Sequence, residues 1–354
     1  MNLSGGLSDQ LSAMDCREPG QNMSQDLISV IIPTYNRKDS LMRTLDSLSR
    51  QTYSAERFEV IVVDDGGSDG TDQLTKTTYP FRLLHCRQIN QGSAAARNHG
   101  AQQSHGDVLV FIDDDMTLRS EYLAEIAGKT LPGTIAMGLW QPYEPPYPSH
   151  FSRAIAQQVA TQAAHALRDE EVSYTECTSN NLAVHRTDFM RVGMWQDVLG
   201  DGPTLWGDVE FGYRAWRKGC RFVRVADARL IHRDQHSADL AAASKRAYQV
   251  SRIVQPLFAL HPEIKELLPM IRDKGPIEWR QNPPTLILRK LARQVVSSRP
   301  AMWIMERAVP LLERRAPGSK LLALLYRWII SGYIYRGYRE GLRSMIAQRT
   351  GLPR

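Results

Sequence analysis

The sequence has few cysteines, and their arrangement builds neither a disulfide framework nor a zinc site. Four occur among 354 residues, and none lies in a CxxC pair; they are Cys16, Cys86, Cys177 and Cys220. Scattered cysteines in a chain of this length are typical of buried thiols. We therefore expect thiols that pack in the interior, rather than cross-links or metal ligands.

The sequence also lacks a signal peptide and two phosphate-binding signatures. Residues 1–25 are rich in Ser, Gly, Asp and Gln, without the apolar core of a secretion signal, so we expect a flexible leader and a cytoplasmic protein. The Gly-rich segment 66–70 has neither the GxGxxG spacing of dinucleotide folds nor the GK[ST] ending of P-loops. These absences argue against a dehydrogenase and an ATPase.

Charge divides the chain into two parts. Residues 1–240 contain 23 Lys and Arg against 31 Asp and Glu, a net charge of −8, whereas residues 241–354 contain 21 against 7, a net charge of +14. We expect a nucleotide-sugar domain over 26–240 and a basic helical extension over 241–354. A basic segment can meet nucleic acid, anionic lipid or an acidic partner.

Short apolar runs alternate with helical spacing through the first part. Strands are predicted at 27–32, 58–63, 82–85 and 108–112, and helices at 40–49, 69–74, 94–103 and 150–170, with 132–148, rich in Pro and Tyr, irregular. This alternation predicts an α/β fold with a mostly parallel sheet flanked by helices. Ligands bind beyond the carboxyl ends of such strands, so we expect the polar clusters 33–36, 64–65 and 113–115 to converge there.

Three adjacent aspartates, 113–115, follow the fourth predicted strand directly. Like charges at close range repel, and burial costs several kcal/mol for each unless a cation compensates. Mg²⁺ and Mn²⁺ bind one or two carboxylates together with phosphate oxygens, so the triplet predicts a divalent metal site. The alternative is a solvated acidic loop or a run that caps a helix.

Two later groups could complete such a site. Asp208 and Glu210 flank one residue, and a carboxylate near a bound sugar can deprotonate an acceptor hydroxyl, although acidic residues are also favoured at helix N-termini. His232 follows an apolar stretch, where a neutral imidazole can bind a metal or serve a structural role.

Six motifs in this order resemble the family-2 inverting glycosyltransferases, and the similarity covers roughly residues 27–235. The motifs are 30–37 (VIIPTYNR), 62–71 (VVDDGGSDGT), 90–92 (NQG) with 96–98 (ARN) and Gly100, 111–115 (FIDDD), 179–184 (SNNLAV) and 207–214 (GDVEFGYR). The resemblance implies a GT-A fold, Rossmann-like, with a helical C-terminal extension. It also implies transfer of a sugar from a nucleotide donor, expected to be a UDP-sugar, with Mn²⁺ or Mg²⁺.

The resemblance also assigns roles. Asp208 would be the catalytic base, in a single displacement that inverts the sugar, and Asp115, Asp113 and His232 would bind the metal. Trp206 and Glu210 would lie on the acceptor side. Donor binding would fall to Pro33, Tyr35, Asn36, Asp65, Arg97, Asp113 and Asp114, with Tyr35 and Asp65 on the base and ribose and Arg97 near the diphosphate.

Two departures from the family pattern leave alternatives open. Gly207 stands where the family often has Glu before the base, and Gly66-Gly67 stands where a single Gly is usual. A non-catalytic nucleotide-sugar binder or scaffold is therefore an alternative. A nucleotidyltransferase, which also pairs aspartates on a metal, would lack the block at 208–210.

The basic extension combines arginines with large apolar residues. Residues 321–335 are apolar except Arg327, and the run is shorter than the roughly 20 residues that span a bilayer. It predicts an interfacial amphipathic helix on an anionic membrane, peripheral at the inner face of the plasma membrane. The acceptor would be a glycan or a lipid-linked molecule in polysaccharide or glycoconjugate synthesis. The alternative is a helix packed on the core or a second subunit; nucleic acid is not expected, because the aromatics lie among Leu and Ile.

Overall fold

The computed structural model describes residues 26–74, 76–143, 145–196, 206–233, 238–268, 270–271 and 273–350, so the predicted leader 1–25 and Cys16 lie outside the described residues. The strands are β1 Ile28–Thr34, β2 Phe58–Asp64, β3 Arg82–Arg87, β4 Val108–Ile112, β5 Met116–Leu118, β6 Thr134–Gln141, β7 Glu170–Glu171, β8 Asn181–His185 and β9 Arg221–His232. The helices are α1 Lys38–Leu48, α2 Thr71–Leu74, α3 Ser93–Gln103, α4 Tyr122–Lys129, α5 His150–His165, α6 Arg186–Val192, α7 Gly207–Arg217, α8 Leu240–Arg252, α9 Gln255–Leu260, α10 Ile264–Leu267, α11 Pro284–Val296, α12 Arg299–Arg315 and α13 Lys320–Thr350.

One nine-stranded sheet runs through the first part of the chain. Its order is β3-β2-β1-β4-β8-β6-β9-β5, and β7 pairs with β9. Strands β1 to β4 pair with one another only in parallel, whereas β8 lies antiparallel to both β4 and β6. The predicted α/β sheet flanked by helices is confirmed, and its second half is mixed. Because β1, β2 and β4 are parallel, their carboxyl ends meet at one edge.

Burial on both faces explains the continuous apolar strands. Every residue of β1, β2 and β4 is buried, and separate clusters of buried side chains cover the two faces. Helix α3 approaches β1 at Gly100, where a Cβ would lie 2.6 Å from Ile31 Cγ2. This close approach holds Arg97, less than one turn earlier on α3, beside the carboxyl edge of the sheet.

The prediction of irregular structure over 132–148 is wrong for its first half, which forms β6. The prolines at 132 and 142 flank this strand and do not interrupt it. Proline removes a hydrogen bond from a sheet only where it lies within a strand. The apolar run between the two prolines is therefore free to pair with β8 and β9.

The helical extension shares its interior with the sheet domain. Buried side chains of α9 and α13, among them Leu257 and Tyr338, belong to the same apolar cluster as Ile31 and Phe111. Trp206 donates its indole N–H to the carbonyl oxygen of Val250 at 2.9 Å. The apolar core thus continues across residue 240, where the sequence places a domain boundary.

Two smaller predictions have different outcomes. Cys177 and Cys220 are buried thiols as expected, and Cys86 is partly buried. In the apolar run 321–335, one set of side chains packs against α12 and α5 in a third core cluster; these are Leu322, Leu325, Tyr326 and Ile329. Leu321 and Trp328 of the same run are exposed, so the predicted membrane contact stays a prediction. Among the described helices, none combines the length and hydropathy that crossing a membrane requires.

Candidate active site

A cleft of about 230 Å³ opens at the carboxyl ends of β1, β2 and β4. It is lined by Pro33, Thr34, Tyr35, Arg37, Asp65, Ser93, Arg97, Asp113 and Asp114. The three polar clusters predicted to converge do so here. All predicted donor-binding residues except Asn36 line the cleft, and the half-exposed Tyr35 side chain stands at its mouth.

Asp65 organises the floor of the cleft through three hydrogen bonds that it accepts. Its Oδ1 accepts hydrogen bonds from Gln88 Nε2 at 2.8 Å and Gln91 N at 2.9 Å, and its Oδ2 accepts one from Gly92 N at 2.8 Å. Gly92 has φ +87° and precedes the first residue of α3. Asp65 therefore positions the start of α3, whose N-terminal N–H groups can face an anion.

Asn36 supports the cleft from outside its lining. It has φ +53°, in the left-handed region that Asn tolerates better than most residues. Its Oδ1 accepts a hydrogen bond from Ser68 N at 2.7 Å. A Cβ on Gly67 would lie 3.1 Å from both Asn36 N and Asn36 Oδ1. The structure thus assigns Asn36 to the contact between the two Asp- and Gly-rich turns rather than to direct donor contact.

Asp114 is the buried member of the aspartate triplet. It accepts a hydrogen bond from Thr34 Oγ1 at 2.8 Å and pairs with Arg37 at 3.1 Å. Burial raises the pKa of Asp114 to about 7, and the Arg37 charge and the Thr34 hydroxyl offset only part of that rise. Asp114 therefore joins the ends of β1 and β4 and is poorly placed to bind a metal.

Asp115 faces His232 across the antiparallel pair of β5 and β9. Its Oδ1 is buried without a hydrogen bond of normal geometry among the described residues, although His232 Nε2 lies 3.3 Å away. Arg37 pairs with the other oxygen at 2.7 Å. Burial alone would raise the pKa of Asp115, but His232 and Arg37 outweigh it and lower the pKa to about 2.

The residues of this site fit a divalent cation shared with a phosphate-containing ligand. Within the described ranges, no three His, Cys, Asp or Glu side chains group closely enough to hold a metal alone. Asp115 Oδ1 and His232 Nε2 nevertheless form an adjacent pair of ligand atoms. Mg²⁺ in particular keeps several waters and binds through one or two carboxylates plus phosphate oxygens.

Asp113, the first aspartate of the triplet, pairs with Arg97. The Arg97 guanidinium is buried and donates a short hydrogen bond to Asp113 Oδ1. Arg97 Nε is buried without a partner among the described residues. A buried, unpaired donor carries a cost of about 1–3 kcal/mol. Arg97 also lines the cleft, so its positive charge can attract an anionic ligand there.

Asp208 lies in the first turn of α7, next to Ser179, which hydrogen-bonds to it through both its hydroxyl and its main-chain N–H. Burial raises the pKa of Asp208, Arg97 and Ser179 oppose the rise, and the charge of Asp113 adds to it. The carboxylate is therefore electrostatically coupled to the cleft. A raised pKa makes the aspartate a stronger proton acceptor when it is deprotonated.

Trp206 and Glu210 have interior partners. Trp206 is 5 % exposed and bonds to the extension as described, and Glu210 is 2 % exposed. Arg214 Nε donates to both Glu210 oxygens at 2.8 and 2.9 Å, and His261 Nε2 lies 3.4 Å from Oε1. The predicted acceptor contacts are not supported, because the hydrogen bonds of both side chains hold α7 against the core and the extension. By holding α7 in place, they also position Asp208.

Sequence reasoning missed Arg37 as a site residue and His261 as a partner of Glu210. Arg37 follows Tyr35-Asn36 at the end of the first strand, so its place beside the other polar clusters was an available signal. His261 lies 51 residues after Glu210, and nothing in its local sequence indicates the contact.

The first part of the chain matches a known family. Residues 29–144 match the family model described as glycosyl transferase family 2. The matched segment contains β1 to β6 and the whole lining of the cleft. The predicted family resemblance is confirmed over residues 29–144, which have the sequence pattern of a family-2 glycosyltransferase.

Curated relatives of this glycosyltransferase domain include enzymes with named activities. Validoxylamine A glucosyltransferase of Streptomyces hygroscopicus subsp. jinggangensis is 28 % identical over 278 residues, which cover 70 % of this chain and 64 % of the relative. Glycosyltransferase AglE of Haloferax volcanii is 38 % identical over 110 residues, 30 % of this chain and 36 % of the relative. The chain thus spans less than two thirds of the length of these relatives.

A solved structure shares the fold along most of the chain. The mannosyltransferase PcManGT from Pyrobaculum calidifontis, in complex with GDP-Man and Mn²⁺, aligns with a TM-score of 0.56 at 17 % identity and covers 90 % of this chain and 88 % of its own. The alignment agrees with the predicted GT-A architecture and includes the helical extension within the shared fold.

Proposed function

We propose that this glycosyltransferase is a metal-dependent inverting enzyme that moves a sugar from a nucleotide donor to an acceptor hydroxyl. The observation that carries the proposal is the electrostatic coupling of Asp208 to Arg97 and Asp113, two residues that line the cleft. The cleft offers an arginine and a helix N-terminus for phosphate, and Asp208 offers a base.

The donor side follows from the positive groups of the cleft wall. Arg97 lines the cleft, and the N-terminus of α3 reaches it at Ser93. Both are suited to a diphosphate. The exposed ring of Tyr35 at the cleft mouth can stack on a nucleotide base, and the shared fold of PcManGT, solved with GDP-Man and Mn²⁺, supports this class of donor.

A divalent cation held by Asp115 and His232, with Asp113 close by, would stabilise negative charge on the departing diphosphate. Asp208 would accept the proton of the acceptor hydroxyl as its oxygen attacks the anomeric carbon. Ser179 orients the Asp208 carboxylate, and the ion pair of Arg214 with Glu210 holds α7 in place. A single displacement with one base predicts an inverted product.

A screen of nucleotide sugars tests this function. The purified chain, supplied with Mn²⁺, should hydrolyse or transfer the sugar of one UDP- or GDP-linked donor and release the nucleoside diphosphate. Activity should disappear with EDTA and return with added Mn²⁺, as measured by a coupled assay for the released diphosphate. A donor that binds, by calorimetry, without any turnover would instead favour a non-catalytic nucleotide-sugar binder.

The extension has exposed apolar and basic side chains on α11 and α12. Its exposed apolar side chains are Leu288, Leu291, Val295, Trp303, Ile304 and Leu311. Exposed arginines share these helices, namely Arg289, Arg299, Arg307, Arg314 and Arg315. Apolar side chains beside arginine are typical of surfaces that rest on anionic lipid, so we propose that this face binds the membrane that carries the acceptor.

Replacing both Trp303 and Ile304 with Ser should weaken binding to vesicles that contain anionic lipid. Each large apolar side chain contributes about 1.5–3 kcal/mol when buried, so the double variant should bind at least tenfold more weakly. Co-sedimentation measures the effect. The matched control replaces Leu131 and Met190, which are exposed on the other domain. Equal sedimentation of the two variants and the parent would contradict the proposal.

A further inference from the structure

A second cavity, of about 520 Å³, opens on the other side of the aspartate triplet. It lies where β6 and β8 separate: they pair at Ile135–Val184 and Ala136–Ala183 and then diverge. The Asn181 side chain spans the gap by accepting a hydrogen bond from Gly138 N at 2.9 Å and donating one to Gly138 O at 2.8 Å. Helix α5 forms the outer wall.

This cavity touches the neighbours of each predicted catalytic group. Thr178 in its wall precedes Ser179, the partner of Asp208. Trp140 in its wall stacks obliquely on His232, with ring centroids 5.6 Å apart. Asn181 pairs with Ile112, the residue before Asp113. The cavity and the donor cleft therefore lie on opposite sides of the end of β4.

The position has a chemical consequence for an inverting transfer. In a single displacement, the acceptor oxygen approaches the anomeric carbon from the side opposite the leaving diphosphate. The donor cleft is built on β1, β2 and β4, whereas the second cavity is built on β6, β8, β9 and α5. An acceptor in the cavity would approach from the β8 side of β4, where Thr178 in the cavity wall precedes Ser179, the partner of Asp208.

The lining indicates the chemistry of the occupant. Arg224 pairs with both Glu170 and Glu176, and the two half-exposed carboxylates retain unused acceptor capacity. Gln162 and His165 add polar atoms from α5 and its end, while the Trp140 ring supplies an apolar surface. An aromatic ring among amide and carboxylate groups suits a ring with several hydroxyl groups. Two carboxylates against one guanidinium disfavour an acidic ring.

We infer that this cavity binds the acceptor as an uncharged, polyhydroxylated ring, and that Glu170, Glu176 and Arg224 fix its hydroxyl groups. The inference rests on the proposed glycosyl transfer. It adds a binding site and a substrate class: the ring that receives the sugar is a neutral sugar or cyclitol, whatever it is attached to.

Substituting Ala163 with Trp tests the site, because Ala163 lines the cavity from α5 and the larger side chain would fill it. The matched control is Ala164→Trp on the same helix, since Ala164 is exposed and does not line the cavity. The probes are neutral methyl hexosides and methyl glucuronoside, with MnCl₂ and either UDP or GDP. Ligand-observed NMR measures their binding, and donor hydrolysis is measured in parallel.

Neutral methyl hexosides should bind to the parent and to Ala164→Trp, better than methyl glucuronoside does, and at least about tenfold more weakly to Ala163→Trp. Donor hydrolysis should stay the same in all three proteins. Equal hexoside binding by both Trp variants, or none by the parent, overturns the inference. If the parent itself does not hydrolyse the donor, the proposed transferase activity is contradicted instead.

A milder variant keeps the inference testable if Ala163→Trp does not fold. Glu176→Gln keeps the size of a half-exposed side chain but removes its charge and its ion pair with Arg224. It should weaken hexoside binding severalfold and reduce the preference for hexoside over glucuronoside. Unchanged binding and unchanged preference would overturn the assignment.

Discussion

Asp208→Asn should retain donor binding and lose sugar transfer. The amide keeps the shape of the side chain and can still hydrogen-bond to Ser179, so the cleft and α7 should stay in place. It cannot accept the proton of the acceptor hydroxyl. General-base catalysis contributes typically 10²–10⁴-fold to rate, so kcat should fall by about that factor. Calorimetry of the nucleotide and a transfer assay separate the two effects.

The matched control for this variant is Asp227→Asn, which removes an aspartate charge from a side chain that is 73 % exposed. Transfer by the control should equal that of the parent. The pH profile adds a second readout: because the base acts when deprotonated and burial raises the pKa of Asp208, parental activity should fall with decreasing pH at a higher pH than for an ordinary aspartate. Full transfer by Asp208→Asn would exclude Asp208 as the base.

Asp115→Asn should weaken Mn²⁺ binding and abolish most transfer. Asp115 Oδ1 is the buried oxygen beside His232, and the two atoms form the pair suited to a cation. A neutral amide is a weaker ligand for a hard cation, and losing charge stabilisation of the leaving group costs several kcal/mol. We expect at least a 100-fold loss of transfer, and titration with Mn²⁺ monitored by electron paramagnetic resonance should show weaker binding in the presence of nucleotide.

Two comparisons isolate the role of Asp115. Asp72→Asn changes an exposed carboxylate on α2 and should affect neither metal binding nor transfer. Asp114→Asn should cost less Mn²⁺ affinity than Asp115→Asn, because Asp114 is held by Thr34 and Arg37. Mn²⁺ affinity that is lost in Asp114→Asn but retained in Asp115→Asn would reverse the assignment of the metal ligand within the triplet.

The donor half of the site could be anticipated because its residues follow buried parallel strands. Tyr35, Asp65 and Asp113 each follow such a strand closely, and parallel strands necessarily present their carboxyl ends at one edge. The acceptor half could not be anticipated. Trp140 lies in a segment whose prolines suggested irregular structure, and the cavity beside it exists only because β6 and β8 diverge.

The surface of the helical extension could also be predicted only in part from the sequence. Its basic charge and helical content are visible in the sequence, but an apolar helix face does not indicate what covers it. Part of the run 321–335 packs on α5 and α12, and the exposed large apolar side chains between residues 284 and 315 lie on α11 and α12. Likewise, Trp206 and Glu210 have the residue types of an acceptor site, and only the distant Val250 and His261 show that they are interior supports.

The sequence by itself determined the α/β architecture, the family and the identity of the polar groups at the strand ends. Those features depend on local periodicity and on residues close together in the chain. The tertiary structure alone decided which aspartate pairs with an arginine, which faces His232, and where a second cavity opens. These depend on contacts between residues 51 to 117 positions apart, as in Glu210–His261, Arg37–Asp115 and Asp115–His232, where only the packed fold sets distance and burial.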